Sequence, residues 1–274
     1  MIEAWRPYTA IVSARFRMLL QYRAAAIAGV WTQIFFGCVL IMIYEAFYRS
    51  ATAAVQPMTF AQLVTYVWLG QALLALLPWN VDSELRAMIR SGAVAYELCR
   101  PVDLYGLWFA RAVAQRAAPT LLRALPMAVF AVFVLPWVGL GEWRLAAPAS
   151  PAAAAGFAAA LVATLALGAA MSALINISLM WTIAGDGVVA LIVAAVSLLS
   201  GLMIPLPLFP DWAQTVLRWL PFASLFDLPF RLYNGQLDAA LPVLARQLGW
   251  TAALVVLGRW LLARGLRRVV VQGG

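Results

Sequence analysis

The sequence predicts an all-α membrane protein with six membrane-crossing helices and both termini in the cytoplasm. Of its 274 residues, 65% are hydrophobic and 11% are charged, whereas soluble domains carry about 25% charged residues. A soluble fold of this length could not hide so much apolar surface from water. Six apolar runs approach the roughly 20 residues that a spanning helix needs. We see no internal repeat and expect a single membrane domain over residues 1–274.

The six apolar runs are predicted as crossings in chain order. The third contains Pro119, Pro126 and Pro136, which predict kinks. The predicted crossings are residues 24–44, 60–77, 112–138, 152–180, 188–204 and 243–263.

The net charge of +8 comes from arginine alone, since the chain contains neither lysine nor histidine. A basic balance can indicate nucleic acid, but these arginines flank the apolar runs, so we expect no nucleic-acid partner. By the positive-inside rule they predict cytoplasmic termini. The predicted inner segments contain Arg6, Arg15, Arg17, Arg23, Arg86, Arg90, Arg100, Arg111, Arg116, Arg264, Arg267 and Arg268, against Arg49, Arg144, Arg218, Arg231 and Arg246 outside.

Residues 4–22 predict an amphipathic helix on the cytoplasmic membrane surface. Apolar side chains recur at helical spacing, while Arg6, Arg15 and Arg17 interrupt them. The alternative is a cytoplasmic extension of the first crossing.

Residues 81–103 form the most polar stretch and are predicted as a short cytoplasmic helix, a turn and re-entry into the membrane. Asp82 or Ser83 can cap the helix, and Glu84 favours its first turn. Gly92 can end the helix, and Pro101 ends the segment after Gly92. The alternative is a solvated loop whose charges only set topology.

Residues 205–240 are predicted as an external re-entrant or interfacial hairpin before the last crossing. Proline-rich breaks bound a short apolar helix at 212–220, which is too short to span. The alternative is an ordinary external loop. Short connections are expected outside at 139–151 and in the cytoplasm at 181–187.

The chemistry needed for an enzyme is sparse, so we expect no catalytic residues and no metal site. Without histidine the commonest general base and metal ligand are missing, and Cys38 and Cys99 lie too far apart in the pattern to suggest a pair. No phosphate-binding loop occurs, so ATP would be hydrolysed by another polypeptide. Arg123 in the third crossing and Asn176 in the fourth are the candidate substrate-pathway residues. Their alternatives are snorkelling or dipole pairing for Arg123 and a helix–helix hydrogen bond for Asn176.

The order of these elements resembles the ABC-2 type exporter permeases over nearly the whole chain. The stretch from Ile89-Arg90-Ser91-Gly92 to Leu98-Cys99-Arg100-Pro101-Val102-Asp103, followed by Leu104-Tyr105-Gly106-Leu107-Trp108, is similar to a loop of one branch of that family. The resemblance implies a permease that pairs with a second permease, identical or related, and with two cytoplasmic ATPase subunits. ATP and Mg would bind to those subunits, and no cofactor to this chain.

The resemblance also implies a coupling role for the cytoplasmic helix. Its residues would dock in a groove of the ATPase, and alternating access would follow as the two permeases rock. The implied coupling residues are Asp82, Glu84, Arg86, Arg90, Gly92, Arg100 and Pro101. The alternative function is a secondary carrier or lipid scramblase without an ATPase, against which stands the lack of inverted repeats. The alanine-rich, arginine-only composition suggests a bacterial inner membrane, with lipids as further partners.

Overall fold

The computed structural model describes residues 5–50, 56–78, 81–181 and 186–267, and within them every regular element is helical. Predictions for residue 4, for 182–185 of the fourth connection and for Arg268 lie outside the described residues. In chain order the helices are α1 (Arg6–Leu19), α2 (Arg23–Ser50), α3 (Phe60–Ala72), α4 (Ser83–Ser91), α5 (Val94–Leu98), α6 (Leu104–Val129), α7 (Leu135–Trp137), α8 (Pro151–Ser178), α9 (Asp186–Leu199), α10 (Asp211–Trp219), α11 (Asp227–Tyr233) and α12 (Ala240–Leu266).

Four helices in the described part of the chain are long and apolar enough to cross a bilayer. They are α2, α6 with its continuation to Trp137, α8 and α12, and they correspond to the first, third, fourth and sixth predicted crossings. The third runs unbroken through Pro119 and Pro126 and continues through a π-helical turn at Phe130–Val134 into α7. A π-helical turn shifts the register and accommodates backbone bonds lost at proline.

The second and fifth predicted crossings are shorter in the structure than in the sequence prediction. α3 ends at Ala72 and is followed by a 3-10 turn at Leu74–Leu76, where the Leu76 carbonyl closely approaches Gly168 of α8. α9 ends at Leu199, not near Pro205, because Gly201 adopts a left-handed φ of 84°. At about 1.5 Å per residue, α3 and α9 are each roughly 20 Å long.

α8 is the centre of the bundle, since it packs against α6, α11 and α12. Its alanine and glycine residues let neighbouring backbones approach closely, as is typical of membrane helices. Gln247 of α12 is fully buried, with its amide nitrogen near Ala160 O (3.1 Å), Thr164 Oγ1 (3.0 Å) and Ser224 O (2.9 Å). These contacts join α8 to α12 in the interior.

One end of the bundle, here termed the α4 end, gathers the first and last helices. α1 is separate from α2, with a turn over 20–22, and it packs along α6. Tyr8 of α1 accepts a hydrogen bond from the Asp103 N–H (3.0 Å), and Asp103 pairs with Arg259 of α12 (2.8 Å). Both ends of the described chain therefore lie at the same end of the bundle.

The opposite end contains the segment between α9 and α12, which folds as short helices between proline breaks. Leu225, Phe226 and Phe230 are fully buried against the bundle, while Trp212 and Trp219 stay exposed. Tyr233 donates to Ala146 O (2.8 Å) and Asn234 donates to Gln62 O (3.2 Å). The protein itself thus covers part of the apolar surface of this segment, and whether the segment enters the membrane as predicted stays a prediction.

Candidate functional site

α4 is a short amphipathic helix whose two ends are both capped. The Asp82 carboxylate accepts from the backbone N–H groups of Glu84 (3.0 Å) and Leu85 (3.2 Å), as expected of an N-cap residue. Gly92 ends the helix with a φ of 73°, a left-handed conformation that favours glycine. Leu85 on the inner face is fully buried. The sequence therefore determines both the length of α4 and the face it buries.

The buried guanidinium of Arg111, on α6, binds the carboxylates around α4. Arg111 Nε lies 3.1 Å from Asp82 Oδ2, Nη2 lies 2.7 Å from Glu84 Oε2, and Nη1 lies 3.7 Å from Glu97 Oε1. Arg111 and Glu97 expose only 6% and 4% of their surface. One cation thus ties the start of α4 and the middle of α5 to α6.

Three further groups extend this arrangement, which we call the Arg111 network. Arg15 of α1 forms an ion pair with Glu84 and lies 3.9 Å from Asp82 Oδ2. Trp108 Nε1 donates to Glu97 (2.9 Å), and the Asp82 N–H donates to Asn176 Oδ1 of α8 (3.1 Å). Contacts from α1, α6 and α8 converge on the start of one short helix, so α4 is attached to three other helices of the bundle.

The outer face of α4 and α5 remains exposed. On α4 the exposed positions recur at helical spacing, and on α5 they include Tyr96 at 79% and Leu98 at 53% exposure. Exposed apolar side chains rimmed by charge are typical of protein contact surfaces. The exposed residues of this outer face are Ser83, Glu84, Ala87, Arg90, Ser91, Tyr96, Leu98, Cys99, Arg100 and Pro101.

The predicted coupling residues divide into two groups. Asp82 is buried and Arg86 half-buried, so they face the bundle, and Gly92 acts through its backbone. Arg90, Arg100 and Pro101 are exposed on the outer face. Glu84 belongs to both groups, because its side chain is 58% exposed and also pairs with Arg111. Sequence reasoning missed the network roles of Arg15, Glu97 and Arg111. A signal was present in the sequence: three acids occur between residues 82 and 97, and an arginine follows in the next long helix. This pattern could have indicated an ion-pair network between them.

The two predicted pathway residues have different surroundings. Asn176 is buried, and its Oδ1 accepts a hydrogen bond from the Asp82 N–H at the start of α4. This contact agrees with the structural alternative for Asn176, a hydrogen bond between helices. Arg123 lines a cavity of about 590 Å³ together with Arg116, Pro119 and Asp82. Its guanidinium lies so close to α2 that a Cβ on Gly29 would be 2.7 Å from Arg123 Cζ. The sequence predicts Arg116 only as a topology charge.

In the described part of the chain, no group of three or more His, Cys, Asp and Glu side chains could hold a metal ion. The acids of the Arg111 network are engaged by arginines instead. Because these ion pairs link α4 and α5 to α6, a displacement of α4 can pass to α6 through them.

A family model described as ABC-2 family transporter protein matches residues 34–273. The chain belongs to this family. It is accordingly a membrane transport component of the ABC-2 type, as the resemblance in its loop and layout predicted. No curated protein matches this ABC-2 protein closely enough to add a more specific relative. The match includes α4, α5 and the Arg111 network except for its α1 residue.

Proposed function

We propose that this ABC-2 protein is the permease subunit of an ATP-driven exporter in a bacterial inner membrane. It pairs with a second permease, identical or related, and with two cytoplasmic ATPase subunits that bind ATP and Mg. The observation that carries the proposal is α4, a helix held by the Arg111 network with its outer face exposed. A mechanical coupling element needs both properties.

In this proposal α3 with its 3-10 turn and α9 complete six crossings with the four long helices. The α4 end then faces the cytoplasm. ATP binding draws the ATPases together, and each ATPase pulls on the outer face of α4 and α5. Because Arg111 and Leu85 join α4 to α6 and α8, this displacement passes to the helices that line the substrate path. At the opposite end of the bundle, the α10–α11 segment closes the exit of the substrate path.

The test is a pull-down of the tagged full-length chain from membranes in mild detergent. We expect a nucleotide-binding ATPase to co-purify and to hydrolyse ATP. The outer-face variants Arg90→Glu and Tyr96→Ala should each reduce the bound ATPase about tenfold, which corresponds to the loss of a single good contact. Arg17→Glu, an exposed charge change on α1, is the matched control and should leave binding intact.

A stable permease oligomer that never carries an ATPase would reject the exporter proposal. It would favour the ATPase-independent carrier or scramblase. An ATPase that binds both outer-face variants as well as it binds the native chain would place its contact elsewhere on the protein.

A further inference from the structure

The cavity beside α6 contains two guanidinium groups that have no acidic partner among the described residues. Arg116 and Arg123 are separated by seven residues, about 10 Å along the helix axis, so they lie on one face. Both line the same cavity of about 590 Å³, a volume typical of small-molecule sites. This face of α6 is therefore basic.

Arg116 is the more deeply buried of the two, with 4% of its surface exposed. Among the described residues its Nε has no hydrogen-bond partner and it forms no ion pair, while Nη1 makes one long contact of 3.4 Å to Ala112 O. Arginine stays protonated and offers five donors. An unpaired buried charge is costly, so an anion in the cavity would relieve an existing penalty.

Arg123 presents the same deficit two turns further along. Its Nε is buried and has no partner among the described residues. The guanidinium packs against Gly29 of α2. One turn beyond Gly29 on α2, the buried Gln33 amide also has neither atom hydrogen-bonded within the described chain. A further unpartnered polar side chain thus lies one turn along α2 from the Gly29–Arg123 contact.

Asp82 is the one carboxylate that lines the cavity in the described residues, and it does not neutralise the pair. Its oxygens are held by Arg111 and accompanied by Arg15 on the other side. The remaining lining is largely apolar, with Leu19, Leu74 and Leu77. Within the part of the chain that the structure describes, the cavity thus combines two guanidinium groups that form no ion pair with a largely apolar lining.

We infer that this cavity binds an oxyanion, with Arg116 and Arg123 as its ligands, and that the preferred molecule is an anionic amphiphile whose tail contacts the leucines. Guanidinium groups bind phosphate and carboxylate through paired N–H donors. Anion binding in this cavity does not depend on the proposed function. Only the assignment of the cavity to the transport path rests on it. The test of anion binding uses no ATPase, so either idea can fail alone.

The test measures the thermal midpoint of the purified full-length chain in mild detergent during titration with two probes. Phosphatidic acid represents a lipid headgroup, inorganic phosphate represents a soluble anion, and diacylglycerol is the neutral control. We expect phosphatidic acid to raise the midpoint by several degrees, because a ligand that binds only the folded state stabilises it. Diacylglycerol should have no effect.

Arg116→Met should weaken phosphatidic acid binding at least about tenfold and raise the midpoint without ligand, since it removes an unpaired buried charge. A merely structural arginine would lower that midpoint. Arg123→Gln and Gly29→Ala, which displaces the Arg123 guanidinium, should also weaken binding. Arg17→Gln on the exposed face of α1 is the control for surface adsorption and should bind normally.

A shift with phosphatidic acid alone assigns the site to a lipid headgroup, and a matching shift with inorganic phosphate assigns it to a soluble oxyanion. If neither probe stabilises the native chain, the inference is wrong. It is also wrong if the Arg123→Gln and Gly29→Ala proteins bind as tightly as the control.

Discussion

Asp227 is a carboxylate with no exposed surface, at the end of the bundle opposite α4. Tyr66 Oη donates to it at 3.2 Å, and Arg231 lies 3.8 Å away. Burial raises the pKa of Asp227 from 3.8 to about 6, although Arg231 and the Tyr66 hydrogen bond oppose the rise. The folded protein therefore holds this proton more tightly than the unfolded chain does.

The sign of that difference predicts a pH dependence. Above about pH 6 the folded state must keep a buried charge, so its stability should rise as pH falls from about 6 towards 4. Asp227→Asn keeps an acceptor for Tyr66 and removes the charge, so it should stabilise the protein at pH 7.5 by up to about 3 kcal/mol. Thermal midpoints of both proteins between pH 4.5 and 7.5 check this.

For the pH prediction, the exposed acid Glu142 supplies the control, because Glu142→Gln should track the native curve at every pH. An Asp227→Asn protein that is less stable than the native chain at pH 7.5 would show that the charge itself is needed for folding.

At the residue scale, the sequence predicts local features such as helix caps but not the partners of a charged side chain. The caps Asp82 and Gly92 are predictable from their chemistry, because cap preferences are local. Arg111 and Arg116 are both predicted only as topology charges, since a sequence does not show which acids surround an arginine. Five residues apart on one helix, the first is held by three carboxylates, and the second by none of those that the structure describes. Because five residues turn the helix by about 140°, the two side chains leave α6 in different directions, and α4 and α5 lie on the side of Arg111.

At the scale of elements, hydropathy identifies the long helices well, because each contains one long, mostly apolar run. It overestimates α3 and α9, whose ends depend on contacts distant in sequence. Gly201, just after α9, packs against the Tyr66 hydroxyl, where an added Cβ would overlap it. The amphipathic α1 is predictable, whereas its packing along α6 is not, because an amphipathic pattern does not specify what the apolar face contacts.

The attachment of α4 to the bundle gives a prediction at this scale. Arg111→Met would leave three carboxylates without their shared cation, and breaking such a buried arrangement costs about 3–5 kcal/mol. We expect a lower thermal midpoint and weaker ATPase binding together, because α4 loses its position. Arg90→Met, on the exposed face of the same helix, should lower ATPase binding alone. Heating followed by size-exclusion chromatography separates the two effects.

If the Arg111→Met protein keeps the native midpoint, the network does not hold α4, and Leu85 packing must suffice. Equal loss of stability in Arg90→Met would instead show that any change on α4 disturbs the fold.

For the whole molecule, the structure brings α1 and the end of α12 to the α4 end through Tyr8, Asp103 and Arg259. With the arginine bias this predicts that Cys99, which is exposed, reacts with a membrane-impermeant thiol reagent only from the cytoplasmic side. In a Cys99→Ala background, a cysteine introduced by Asp211→Cys should react only from outside.

The measurement compares thiol labelling in intact cells with labelling in inverted membrane vesicles for both positions. Cys38 within α2 serves as the internal reference for background labelling. Reaction of Cys99 in intact cells would invert the proposed topology and remove α4 from reach of a cytoplasmic ATPase.

The apolar cluster under α4 has a consequence for how the protein is made. It joins Leu85 and Val94 to Ala173 and Ile177 of α8 and to Leu262 of α12, so a residue more than 170 positions after α4 completes it. During synthesis α4 emerges long before those helices exist, and domains settle as their parts become available. The apolar cluster under α4 is therefore complete only after α12 has been made. A chain interrupted before α12 would lack the last contact of this cluster, which favours partner binding after α12 has packed.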